Sequence, residues 1–130
     1  MSFQDDLNKA QTKMYKEMSK TIRGGAISAF NEIIKLSPVD TGRFRGNWQA
    51  SINVPKQDVL YTDATSAITK TDDVVSHTQS YTLDDTLYLT NNLPYAAPLE
   101  NGHSKKRGSG WVAAVCLEAK IRIQNNLDQL

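Results

Sequence analysis

The tripeptide Asp40-Thr41-Gly42 is the first place in this chain where residue types and spacing invite chemistry. Aspartic proteases present their catalytic carboxylate in such a tripeptide, and the small viral ones contribute one carboxylate per subunit of a dimer. That chemistry needs two carboxylates held together, shielded from water and sharing one proton. It calls for an apolar strand leading in and a small or apolar residue after the glycine. Here the lead-in is Leu36-Ser37-Pro38-Val39, at the end of a helical pattern, and the follower is Arg43. Asp40 therefore reads as a turn-former. Its side chain can bond the backbone two residues on, and Gly42 tolerates the positive φ of a tight turn.

The remaining reactive residue types are scattered. His77 and His103 have no ligand-spaced partner, whereas a zinc site takes three or four ligands. Cys116 is the only cysteine, so it forms no internal disulfide. It falls on the apolar side of the last helical pattern and reads as a buried structural thiol. No nucleophile elbow, phosphate loop or paired-cysteine motif is present. Lys105-Lys106-Arg107 has the charge to touch phosphate but lacks interleaved aromatics, and reads as a solvated or partner-facing loop. The expectation is a protein that is not an enzyme, with no catalytic, cofactor-binding or metal site.

Composition fits a soluble globular chain. The chain has 130 residues, 39% apolar and 22% charged, with 15 basic against 14 acidic and a net charge of +1. That fits one domain, 1–130, with a lean core. Near-neutral charge gives no argument for nucleic acid or membrane as the main partner. No apolar run approaches the roughly 20 residues of a membrane span. The opening Met1-Ser2-Phe3-Gln4-Asp5-Asp6 lacks the basic start and apolar core of a secretory signal.

The elements that must position these residues are legible from periodicity. Residues 2–36 read as one long helix, with Phe3, Leu7, Ala10, Met14, Met18 and Ile22 in one apolar stripe. Lys9, Lys13, Lys16 and Lys20 fall on the opposite side, a solvated face. Ser2 or the Asp5-Asp6 pair suits the N-terminal end. Gly24-Gly25 interrupts the pattern, which implies a bend or a close approach by another backbone. Ala26, Ala29, Phe30, Ile33 and Ile34 continue it. Such a helix reaches about 50 Å, so its N-terminal half is expected to project and pack on another subunit. Pro38 stops it. Residues 43–53 alternate, with Phe44, Gly46, Trp48, Ala50 and Ile52 on one face and Arg43, Arg45, Asn47, Gln49, Ser51 and Asn53 on the other. This reads as a half-buried strand with Trp48 as core anchor. Residues 54–62 are a loop, and 63–77 a weak helical pattern with Asp63 as its N-cap, for which a disordered loop is the alternative reading. Residues 81–91 alternate again and should pair antiparallel with 43–53. Pro94 to Glu100 is a turn or single helical turn, 101–110 a glycine-rich basic loop, and 111–128 a last helix with Val112, Val115, Cys116, Ala119, Ile123 and Leu127 inward. Gly110 or Ser109 caps it. The fold class is α+β: a long N-terminal helix, a small antiparallel sheet, a middle helix and a C-terminal helix.

Three segments, taken together, resemble a known family. Pro38-Val39-Asp40-Thr41-Gly42-Arg43-Phe44-Arg45-Gly46-Asn47-Trp48 resembles the P-V-D-T-G-R-[LF]-[RK]-x-[NS]-W signature of phage tail-completion proteins. These are also called neck proteins, or minor tail components, of long-tailed double-stranded DNA phages. Leu87 to Ala96, with Asn92, Pro94 and Tyr95, resembles a second signature. Leu99-Glu100-Asn101-Gly102-His103-Ser104-Lys105 resembles a third, usually written L-E-x-G-x-S-K. Order and spacing agree. After Lys105 the usual proline-containing stretch is replaced by the more basic Lys106-Arg107-Gly108-Ser109-Gly110-Trp111.

The resemblance implies a virion protein at the head–tail junction, made in the host cytoplasm, without catalysis or cofactor. It implies a ring of identical copies, about six or twelve by the symmetry of tails and connectors. Its partners would be itself, a connector or head-closure protein, and a tail terminator or tail-tube protein. DNA would pass nearby without specific binding, and no membrane is involved. Arg43 and Arg45 are then expected to face subunit neighbours or Glu100, and Tyr95 and Glu100 to serve packing and interface. Gly102, Ser104 and Lys105 belong to the third signature. Neighbouring readings are a tail terminator or a head–tail adaptor. More distant ones are a small DNA-binding module and a protease-like enzyme through Asp40-Thr41-Gly42.

Overall fold

In the computed structural model the described residues are 2–38, 42–61, 67–94, 96, 98 and 110–130. Helix α1 spans Phe3–Leu36. It starts at a reciprocal cap. Ser2 Oγ accepts from Asp5 N–H at 3.1 Å, and Asp5 Oδ2 accepts from Ser2 N–H at 3.2 Å, which satisfies two of the donors a helix start leaves open. It ends where Pro38 forces Ser37 out of helical geometry, at ψ 133°. A short helical turn α2, Arg43–Gly46, follows, then strand β1, Trp48–Ile52. Helix α3 is Ala67–Ser76, strand β2 Leu87–Asn91 and helix α4 Trp111–Asp128.

β1 and β2 form a two-stranded antiparallel sheet in register Trp48↔Asn91 through Ile52↔Leu87. Two strands alone are marginal in water, and here helices cover one face. Ala29, Ile33 and Ile34 of α1, Phe44, Trp48, Ala50, Val74, Leu93, and Trp111, Val115 and Ala119 of α4 form one core. Phe44 is its aromatic centre. It meets Trp48 edge-on at 5.6 Å and Trp111 edge-on at 6.5 Å between ring centroids, a favoured aromatic geometry.

The α+β class, the antiparallel pairing and the bounds of the two long helices match the sequence reading. Four expectations are corrected. Residues 43–46 are helical, because Gly42 at φ 84° starts a turn closed by Gly46 N–H to Gly42 C=O at 2.9 Å. Over four residues, Arg-Phe-Arg-Gly satisfies either period. Residues 81–86 form turns, so β2 begins only at Leu87. β1 is buried on both faces, Gln49 and Ser51 included. Cys116 is exposed, since Trp111, Val115 and Ala119 turn the buried side of α4 away from it. The middle helix is described over Ala67–Ser76; its expected start at 63–66 lies outside the described residues.

The glycine pair separates into two roles. α4 packs on α1, and Gly25 is a point of close approach, against Ile123. A methyl group built there would sit 2.8 Å from Ile123 Cδ1 and nearer still to Cγ1, whereas one built on Gly24 meets nothing within 4 Å. Gly24→Ala is therefore expected to stabilise the chain by about 0.5–1 kcal/mol through helix propensity alone. Gly25→Ala gains the same propensity but overpacks a stiff β-branched neighbour, for a net loss of about 1 kcal/mol. Denaturant midpoints of the two variants should move in opposite directions; a shift in the same direction would refute this assignment.

Candidate functional site

Arg45 and Trp48 are drawn into closing the end of α1. A helix leaves its last carbonyls without partners. Arg45 supplies two of them, with Nε donating to Ile34 O at 3.0 Å and Nη2 to Lys35 O at 3.1 Å. Burial lowers the Arg45 pKa from its ordinary value. Ser37 Oγ donates to Ile33 O at 2.8 Å and accepts from Trp48 Nε1–H, also at 2.8 Å. Arg45, expected to face subunit neighbours or Glu100, thus spends two of its donors on a cap within the chain; Glu100 lies outside the described residues. Arg43 is exposed. Arg45→Met, which keeps the stem and removes the donors, is expected to cost about 1–2 kcal/mol. Thermal unfolding of the monomer reads this directly, and an unchanged midpoint would return Arg45 to the surface.

A second set of side chains laces the 54–61 segment over the outer face of β1. Asn47, fully buried, donates to Arg43 O at 2.8 Å and Leu60 O at 3.1 Å, and accepts from Leu60 N–H at 2.7 Å. Gln49 donates to Asp58 O at 2.7 Å. Asn92 donates to Lys56 O at 2.8 Å and Asp58 O at 3.1 Å. These amides satisfy backbone carbonyls of a segment that has no ladder partner. Asn91 ties β2 to Phe44 O at 2.9 Å. Sequence reasoning placed Asn92 in a signature but missed the lacing. The visible signal was the density of amides around two short strands.

At the far end of the sheet Asn53 adopts φ 68°, a conformation asparagine tolerates. It donates to Asp85 Oδ1 at 3.0 Å and accepts from Thr86 N–H at 2.9 Å. Asp85 also accepts from Thr82 N–H and Oγ1–H. The Asn53 hydrogen bond, then those from Thr82, hold the Asp85 carboxyl below the usual carboxylate range. Tyr81 beside it is pushed up by burial and by the Asp85 charge. A depressed folded-state pKa gives stability that is present above the unfolded value of about 3.9 and is lost as pH falls through the folded one. Between about pH 5 and pH 2, the wild-type chain should therefore lose more stability than Asp85→Asn does. Parallel acid titrations of the two would disprove the linkage.

An open groove of about 740 Å³ lies between α1 and the 81–84 turn, lined by Tyr15, Lys16, Ser19, Lys20, Arg23, Tyr81, Thr82, Leu83 and Asp84. Arg23 closes one end by donating to Gln79 O at 2.9 Å. Among the described residues no three His, Cys, Asp or Glu side chains cluster to hold a metal ion. His77 turns back on its own helix, its Nδ1 2.8 Å from Asp73 O. No helix among them is long and apolar enough to cross a membrane. Asp40, Thr41, Tyr95, Glu100, Gly102, Ser104 and Lys105 lie outside the described residues, as does the basic loop 105–107. Of the other residues in the three segments, Arg45 and Trp48 meet at the end of α1, Gly42 starts the α2 turn, Asn92 holds the 54–61 segment, and Pro94 is exposed just past β2.

The largest unpartnered feature is the first half of α1. Every described residue from Ser2 to Glu17 is exposed, including Phe3 at 78% and Leu7 at 46%. Comparison with protein-family models, with curated proteins and with solved structures finds no match.

Proposed function

We propose that this chain is a structural protein of the head–tail junction of a long-tailed double-stranded DNA phage. As a neck or tail-completion protein, it assembles as a ring of identical copies and helps join the tail to the DNA-filled capsid. The observation that carries this reading is the set of three ordered segments, beginning with Pro38 to Trp48, that resemble the signatures of that family.

Two physical features support it. Described residues of the first segment serve folding: Pro38 ends α1, Gly42 is left-handed, Arg45 caps the helix and Trp48 sits in the core. These roles are architectural, which suits a structural protein. The exposed half of α1 offers apolar surface to a partner, and a net charge of +1 lets many copies crowd without strong repulsion. The partners are further copies, a connector or head-closure protein on one side, and a tail terminator or tail-tube protein on the other.

The test is electron microscopy of particles assembled without this protein. Filled heads and finished tails that stay apart, and join when it is added back, are the expected result. Tails of wrong length or heads that leak DNA would reassign it to a terminator or adaptor role. Normal joined particles would reject the junction reading.

A further inference from the structure

The exposed half of α1 continues a face that is already in use. Gly25 receives Ile123 of α4. Leu7 lies 18 residues earlier, about five helical turns, so it points the same way as Gly25; Met14 lies about three turns away and Phe3 about six. Phe3, Leu7 and Met14 therefore prolong, along one line, the face on which α4 sits. The chain's own α4 cannot reach them. It has already come to Gly25 at Ile123 and ends at Asp128, about 8 Å of helix further on. Residues 3–17 extend about 22 Å with no cover among the described residues.

α4 is itself apolar on two sides. Val115 and Ala119 are buried in the core. Leu117 and Ile121, each two residues from Ala119 and so about 160–200° round the helix from it, are 61% and 54% exposed. The arm and this outer face hold Phe3, Leu7, Met14, Leu117 and Ile121, five of the nine large apolar side chains exposed among the described residues. The two patches lie on different helices, so a contact between them joins unlike surfaces.

We infer that the α1 arm of one copy docks, through Phe3, Leu7, Ala10 and Met14, on the outer face of α4 of the next copy, through Leu117 and Ile121. The occupant of the arm's face is a second α4, the same kind of helix that fills the other half of that face within the chain. A contact of this unlike-to-unlike kind leaves each pair with a free arm and a free α4, so it propagates and closes into a ring by rotation. An arm of about 15 residues exposed all round is marginal as an isolated helix and gains its stability on docking. The Lys9, Lys13, Lys16 and Lys20 stripe lies opposite the contact and stays in solvent. The inference rests on the ring reading above and names the surfaces that build it.

Two single variants test it, Leu7→Glu and Ile121→Glu, each at an exposed position so that folding is kept; unchanged thermal unfolding of the monomers checks this. Each alone should weaken self-association at least tenfold, as read by sedimentation across a concentration series. Mixed one to one, the intact α4 face of Leu7→Glu meets the intact arm of Ile121→Glu. The mixture should form dimers and stop there. Loss of association in Leu7→Glu alone would mean symmetric arm-to-arm pairing and overturn the inference. So would a mixture that stays monomeric, or a wild-type chain monomeric at every concentration. Variants that assemble as wild type does would overturn the docking while leaving the ring intact. The particle add-back experiment decides the junction role independently.

Discussion

Trp48→Ala is expected to lower the stability of the folded chain by about 3–5 kcal/mol, the range for removing a large aromatic from a core that cannot fully collapse. Trp48 is 7% exposed. It stacks edge-on against Phe44, and its Nε1–H satisfies Ser37 Oγ at the end of α1. One substitution therefore opens a cavity under β1, unseats Phe44 between two tryptophans, and withdraws a donor from the helix end. A domain of this size has about 5–15 kcal/mol in all, so the variant should sit near its unfolding threshold at 37 °C. Trp48→Phe separates the contributions. It keeps an aromatic ring against Phe44 and loses the hydrogen bond and part of the volume, at a cost of about 1–2 kcal/mol. Denaturant unfolding followed by the fluorescence of Trp111, the other tryptophan of the chain, measures both. A loss below about 1 kcal/mol for the alanine variant would show that Trp48 is not the anchor of this core.

How much of this was legible in the sequence depends on how many residues each signal spans. The 34 residues of α1 and the 18 of α4 carry a 3.6-residue period through several turns, and both were readable, as was the projecting half of α1. The stretch from Arg43 was not, because a single helical turn and two steps of a strand bury the same residues, Phe44 and Gly46. What separates them is tertiary: Arg45 must curl back to reach the carbonyls of Ile34 and Lys35. Cys116 misled for a related reason. Leu117 and Ile121 make α4 apolar on two sides, so hydropathy alone does not say which side faces the core. Burial of Gln49 and Ser51 was also hidden, since alternation predicts a wet outer face and takes no account of a loop laid over it.

The same covering loop accounts for the second large effect. Asn47→Leu is expected to destabilise the chain by about 3 kcal/mol, although leucine is of similar size and more apolar. Asn47 is 0% exposed and makes three hydrogen bonds, two to Leu60 and one to Arg43 O. Apolar replacement leaves the Leu60 N–H and two carbonyls without these partners, and each buried orphan costs about 1–3 kcal/mol. Two of the three groups belong to Leu60, at the far end of the covering segment, which can lift to find water and limit the loss. That escape has a signature. The amides of residues 56–60 should exchange hydrogen faster in the variant, while those of β1 paired with β2 stay protected. Asn47→Asp keeps the acceptor for Leu60 N–H but brings a charge into a fully buried site facing two carbonyls, so it should be worse than leucine at neutral pH and recover as the carboxyl protonates. If instead the leucine variant is as stable as wild type, the amide does not hold the segment down, and Gln49 and Asn92 suffice to keep it against the sheet.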